Sequence, residues 1–168
     1  MVKYYETSAA DVRIRTAEPE DAPLILELIR GLAVYEKMQD EVYVTEDLLR
    51  ENLFEKKQAE VLIAEYRGKA IGYALFFPTF STFLGTANLY LEDIFVMPEA
   101  RGLGAGKALL ACFAKIAVER KAGKAEWTVL NWNEPSIRFY TQMGARLLEE
   151  WSLCRMDRKA LSGLAEKL

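Results

Sequence analysis

The chain has 168 residues, of which 51% are hydrophobic and 28% charged, and its formal net charge is -3. One globular domain accounts for that length, with a core able to bury roughly 70% of the unfolded chain's surface. The composition excludes disordered, collagen-like and low-complexity proteins, and the acidic balance argues against a general nucleic-acid binder.

Val12-Arg13-Ile14-Arg15 alternates and predicts a first strand. Glu18-Pro19-Glu20-Asp21 then opens a helix, with proline and acids in its first turn. Leu24, Ile25, Leu28, Ile29 and Leu32 give that helix an apolar stripe of 3.6-residue period. Thr45 caps a short second helix reaching Leu53. Val61 to Tyr66 and Ala70 to Phe77 read as two strands of a hairpin around Arg67-Gly68-Lys69. A loop from Pro78 to Thr86 precedes a long strand from Asn88 to Met97. Pro98 breaks it, and a helix follows from Gly104 to Arg120, ended by Gly123. Glu126 to Leu130 is predicted as strand, Asn133 to Met143 as helix with Gly144 behind it, and Leu147 to Met156 as a last strand. An amphipathic helix from Asp157 to Leu168 closes the chain. The order β-α-α-β-β-β-α-β-α-β-α predicts a mixed α/β sheet with helices on its faces, and no linker divides it.

Histidine is absent. That removes Ser-His-Asp and Cys-His nucleophile systems and histidine metal sites, leaving carboxylates, Tyr, Lys, Cys or water to move protons. Cys112 and Cys154 are too few for a thiolate zinc site or a disulfide framework, so no metal is expected. No apolar run approaches the roughly 20 residues of a membrane span, and Met1 to Val12 lacks the apolar core of a secretory leader. A cytoplasmic protein without membrane or nucleic-acid partners is expected.

Arg101-Gly102-Leu103-Gly104-Ala105-Gly106-Lys107 lies between strand and helix. A glycine turn there aims backbone N–H groups and the helix dipole at a phosphate. The spacing G-x-G-x-G is neither the dinucleotide G-x-G-x-x-G nor a P-loop, because Ala108 follows Lys107 where a magnesium-binding hydroxyl belongs. The loop in context resembles the pyrophosphate loop of the GNAT superfamily of acetyltransferases. Asn133-Glu134-Pro135-Ser136 through Tyr140 to Gly144 resembles that superfamily's later motif, in the correct order. Leu32 to Lys37, Leu89 to Met97 and Trp132 to Ser136 further resemble the spermidine/spermine (diamine) and thialysine acetyltransferases, from about Arg13 to Leu161. Two features depart from that branch: the Arg67-Gly68-Lys69 loop is shorter than in the animal enzymes, and Phe83 stands where they carry tryptophan.

The resemblance implies a single GNAT domain over residues 1–168, with a mostly antiparallel sheet splayed at the cofactor site. It implies acetyl-CoA as donor and a small primary amine, a polyamine, diamine or thialysine-like compound, as acceptor. An alkylammonium with a pKa near ~10.4 needs about 4–5 kcal/mol to lose its proton at pH 7. By resemblance Glu92 binds the amine and helps deprotonate it, and Tyr140 is the acid that protonates the departing thiolate. Ile94, Phe95 and Val96 supply backbone groups to the oxyanion and the pantetheine arm, and residues Arg101, Gly102, Leu103, Gly104, Ala105, Gly106 and Lys107 cradle the diphosphate. Asn133 and Ser136 match positions that contact CoA, and read equally well as helix caps. Tyr35, Glu36, Asp93, Glu126, Trp127, Thr128 and Glu150 match the amine-binding side. Adjacent on a regular strand, Glu92 and Asp93 point to opposite faces unless a bulge intervenes. The resemblance also implies a homodimer with contacts from Leu147 to Met156, including Trp151. A non-catalytic CoA-binding sensor or scaffold of the same fold is the alternative reading.

Overall fold

The computed structural model describes residues 2–168, which divide into two units, one reaching to Thr128 and the other Val129–Leu168. The first unit holds strands β1 (Tyr4–Glu6), β2 (Val12–Thr16), β3 (Glu60–Tyr66), β4 (Lys69–Ser81), β5 (Thr86–Val96) and β6 (Ala125–Glu126). Its helices are α1 (Ala22–Glu36), α2 (Glu46–Leu49), which runs on as a π-helical turn over Arg50–Glu55, and α3 (Ala105–Glu119). The six strands lie side by side in chain order, each antiparallel to the next except the parallel pair β5 and β6.

Strand alternation sorts the core into two layers. Ile63, Tyr73 and Phe95 turn to one face and pack against Ile25 and Leu28 of α1. Phe76, three residues after Tyr73, turns to the other face and meets Phe113 of α3 edge-on, with ring centroids 5.4 Å apart. Of the predicted α1 stripe, Ile25 and Leu28 are buried and Leu24, Ile29 and Leu32 are partly buried against the same cluster, while Ala22, Leu26 and Ala33 are buried in addition. Thr45 caps α2, its side-chain oxygen accepting from the Leu48 N–H at 3.3 Å.

Several boundaries differ from the sequence reading. β1 is an additional strand, too short at three residues to show a period, and it exists by pairing with β2. The β3–β4 turn needs only Arg67 and Gly68, both left-handed, with Lys69 already paired to Tyr66. That is the twist a two-residue hairpin favours. β4 runs through Pro78 to Ser81 rather than ending at Phe77, because β5 pairs with it as far as Thr86. Proline is tolerated there because the ladder with β3 stops at Phe76, leaving β4 one neighbour beyond that point. The strand predicted over 126–130 reduces to Ala125–Glu126.

The second unit carries α4 (Glu134–Gln142) and α5 (Arg158–Ala165), capped by Asn133 and Asp157. The strand predicted over Leu147 to Met156 is not formed. A strand is held only by a ladder, and those residues have no ladder partner among the described residues, leaving Leu147, Leu148, Trp151 and Leu153 exposed.

A buried charge cluster ties the start of α1 to the sheet. Arg15 on β2 donates to both oxygens of Asp21 (2.6 and 2.8 Å) and to Glu65 Oε1 on β3 (2.7 Å). Burial pushes the Asp21 carboxyl up, but the Arg15 hydrogen bonds, the Glu18 amide and the guanidinium charge outweigh it and leave it below its ordinary value. Asp21 therefore stabilises the fold above the ordinary aspartate range, and that contribution is lost as pH falls through its lowered folded value. Removing Asp21 takes away both hydrogen bonds of the guanidinium's Nη1 and Nη2 to that carboxylate and leaves Arg15 with Glu65 as its one carboxylate partner in a nearly dry setting. Asp21→Ala is expected to destabilise the protein by about 3 kcal/mol, lowering the melting temperature at pH 7 by roughly 10 °C. Differential scanning calorimetry checks it, and the deficit should shrink below pH 4.

Candidate active site

The site is organised by one irregularity in β5. Leu75 of β4 pairs with Asp93, yet the next residue, Phe76, pairs with Leu91. Glu92 is the extra residue of a bulge, with no partner of its own on β4. Without the bulge, Leu91 and Asp93 would share a face. With it, Leu91 follows Phe76 to the α3 side, while Asp93 shares the α1 side with Phe95 and Tyr73. The bulge thus turns Asp93 toward the end of α1, where Glu36 is the last helical residue.

Three carboxylates meet there. The charges of Glu36 and Glu92 both act on Asp93 and on the buried phenol of Tyr73. Tyr73 donates its hydroxyl to Asp93 Oδ2 at 2.8 Å. Burial pushes the Asp93 carboxyl up to about 6, the Tyr73 hydrogen bond offsets part of that, and Glu92 and Glu36 add to the rise. Burial also raises the Glu36 carboxyl. Glu92 is exposed, Asp93 half-buried. Tyr73 is the site residue that sequence reasoning missed. The signal was there, because a tyrosine between Gly72 and Ala74 in an apolar strand needs a buried partner for its hydroxyl.

Beyond the bulge β5 keeps one edge open. Its pairing with β6 covers Leu89 and Tyr90 alone. Met97 donates its N–H to Ile71 on β4 at 2.9 Å, so by alternation Phe95 also faces β4 while Ile94 and Val96 face away from it. The Val96 carbonyl on that side accepts from Arg101 Nε at 3.3 Å. Two amides are therefore aimed along an edge that no strand of the described residues covers.

The glycine loop follows directly. Gly102 and Gly104 are both left-handed, and Gly104 stands at the cap position of α3. The first bond of α3 runs from the Ala108 N–H to Gly104. Ala105, Gly106 and Lys107 thus head the helix with their amides ahead of its hydrogen-bond ladder. A Cβ added at Gly102 would meet nothing within 4 Å, whereas one at Gly104 would lie 3.0 Å from the Cβ of Ala9 in the β1–β2 turn. This loop of left-handed glycines and free leading amides fits a diphosphate. Arg101 stacks on the ring of Tyr35, 4.8 Å from its centroid. The loop and the end of α1 are thereby in direct contact.

The other expected residues are placed as follows. Glu126 is ion-paired with Lys124 at 2.7 Å, and Thr128 lies 3.4 Å from the Tyr90 hydroxyl. Trp127 is half-buried just after β6. In the second unit, buried Asn133 accepts from the Ser136 N–H at 3.3 Å, so Asn133 caps α4 and Ser136 supplies the capped amide. Tyr140 is half-buried on α4 with its ring against Phe139, and Glu150 is exposed in a turn. Among the described residues no cluster of His, Cys, Asp or Glu is placed to hold a metal ion, and no helix is long and apolar enough to cross a membrane.

The sequence matches the acetyltransferase (GNAT) family over residues 25–145. It is 38% identical to a thialysine N-epsilon-acetyltransferase of Sus scrofa, covering 94% of this chain and 99% of that protein. It is 32% identical to an L-ornithine N5-acetyltransferase of Arabidopsis thaliana, covering 90% and 87%. Among solved structures, an integron cassette protein from V. cholerae superposes with a TM-score of 0.78 at 25% identity, covering 93% of this chain and 98% of that one.

A carboxyl raised by burial works against the fold whenever it is ionised. Asp93 exerts no such effect below the ordinary aspartate value, and its full effect once pH exceeds about 6. Asp93→Asn is expected to melt at a higher temperature than the parent at pH 7–8. Thermal denaturation in a pH series should show that advantage closing as pH falls toward 4.

Proposed function

The chain belongs to the GNAT acetyltransferase family, and on that premise we propose that it transfers the acetyl group of acetyl-CoA to a primary amine of a small diamine, polyamine or thialysine-like molecule. One observation carries the proposal: the β5 bulge gathers Glu36, Glu92 and Asp93 beside an open run of main-chain amides. An ammonium needs anionic company to bind and a base to become a nucleophile. An acyl transfer needs donors where the oxyanion forms. Both requirements meet on one short stretch of β5.

In this reading the two units act as one domain. The ammonium binds among Glu36, Glu92 and Asp93, with Tyr35 beside them. Glu126, Trp127, Thr128 and Glu150 belong to the rest of the acceptor groove, Glu126 exchanging Lys124 for the substrate's second cation. Glu92 takes the amine proton, directly or through water, and its exposure suits it to pass that proton on. The free amine attacks the thioester carbonyl, and the N–H groups of Ile94 and Val96 stabilise the oxyanion. The tetrahedral intermediate collapses with cleavage of the C–S bond, and the Tyr140 hydroxyl gives its proton to the leaving thiolate. Residues 101–107, with Asn133 and Ser136, hold the coenzyme.

Transfer is direct, within a ternary complex. A covalent route needs a thiol nucleophile, and neither cysteine lies in a motif: burial pushes the Cys112 thiol up to about 11, and Cys154 is exposed in the segment after α4. The exposed apolar side chains of Leu147, Leu148, Trp151 and Leu153 support a homodimer formed through that segment. We place the enzyme in the cytoplasm.

Thiol release from acetyl-CoA with putrescine, spermidine, spermine, thialysine and lysine tests the reading. Amine-dependent release is expected, and coenzyme binding without it would leave a sensor. Tyr140→Phe should lower kcat by roughly 10²-fold or more with acetyl-CoA affinity kept. Light scattering at micromolar concentration should report twice the chain mass.

A further inference from the structure

The Tyr73 hydroxyl has no part in the reaction described above, yet it is buried in the α1 face of the sheet and spends its one proton on Asp93 Oδ2 at 2.8 Å. Its partner is not an ordinary surface acid. Asp93 lies on the α1 side only because Glu92 is bulged out, and its surroundings are otherwise anionic: Glu92 from β5 and Glu36 from α1. Tyr73 comes from β4, paired with Phe95 two residues beyond Asp93. Arg101, on the neighbouring loop, is engaged with the Tyr35 ring and the Val96 carbonyl. The phenol is thus the neutral donor that an ionised Asp93 meets in a setting that otherwise repels it.

We infer that Tyr73 is a positioning residue for amine acetylation, holding one oxygen of Asp93 so that the carboxylate stays charged and presents its other oxygen, Oδ1, to the substrate ammonium. This rests on the proposed amine-binding role of the acidic cluster. The chemistry follows from a hydrogen bond that favours the charged form of its acceptor. Burial and the two carboxylates push Asp93 toward protonation, and a protonated Asp93 would lose its attraction for a cation. The hydroxyl opposes that change without adding a positive charge that would compete with the amine. Phenylalanine at the same position fills the same space and supplies no donor, so Tyr73→Phe isolates the effect from packing.

The experiment is a pH profile of kcat/KM for the best acceptor of the amine panel, from pH 5 to 9 at saturating acetyl-CoA. The parent, Tyr73→Phe, Asp93→Asn and the double variant are compared. Loss of the donor should move the acidic limb toward higher pH by about one unit, giving a roughly fivefold deficit near pH 6 that approaches tenfold toward pH 5 and closes by pH 8–9. KM for acetyl-CoA should not change. In the Asp93→Asn background the same substitution should leave the limb where it was. A deficit equal at every pH, an unmoved limb, or a shift that persists without Asp93 would each overturn the inference. Should Tyr73→Phe fold poorly, 3-fluorotyrosine at position 73 decides: its more acidic hydroxyl donates more strongly, so the acidic limb should move toward lower pH, and an unmoved limb would overturn the inference. If Glu92→Gln and Asp93→Asn both keep parental kcat/KM for the amine, the amine-site reading itself fails, and that result is distinct from the others.

Discussion

Everything at the candidate site depends on one unpaired residue. Glu92 has no partner across the β4–β5 ladder, and that single insertion exchanges the faces of every β5 side chain after it. Before the bulge β5 sends Leu89 and Leu91 into the core. After it, Asp93 turns to the α1 face instead of continuing the register of the two leucines. The strand does not break, because Asp93, Ile94, Phe95 and Val96 all resume pairing with β4. The chain thus obtains two adjacent carboxylates with different surroundings, one in water and one half-buried. Burial, with the charges of Glu92 and Glu36, raises the Asp93 carboxyl above its ordinary value, whereas Glu92 stands in water.

The same strand also illustrates why sheets end where function begins. β6 supports β5 over only two residues and then leaves it. In an ordinary sheet interior, amides such as those of Ile94 and Val96 would be consumed by a neighbour. Their release places donors at a fixed spacing on a rigid support, a better arrangement for a developing negative charge than a mobile loop provides. The Arg101 guanidinium touches both the carbonyl at the end of this edge and the Tyr35 ring. Glycine loop, strand edge and α1 terminus are therefore neighbours by direct contact.

Much of this was legible in the sequence. The stripe of α1 and the glycine turn before α3 were read correctly, because apolar periodicity and glycine spacing are local signals. The resemblance to acetyltransferases came from motif order as well as motif content, and the family match over residues 25–145 agrees with it. What was not legible depends on pairing. β1 is three residues long and takes its identity from β2. Pro78 looks like a strand breaker until it is known that β3 ends opposite Phe76. Leu147 to Met156 has the pattern of a strand, but pattern alone cannot supply a ladder partner. The bulge was only a possibility until the register of β4 was seen, and with it the pairing of Tyr73 to Asp93.

The approach of Ala9 to Gly104 has a consequence for variation in this chain. A methyl group at the β1–β2 turn occupies the space into which a side chain at the head of α3 would grow. Positions 9 and 104 therefore behave as one steric unit, although 95 residues of chain separate them. A library randomised at position 104 should return almost only glycine, because the backbone there is also left-handed. An evolving lineage could place a side chain there only by lifting the β1–β2 turn away from the glycine loop.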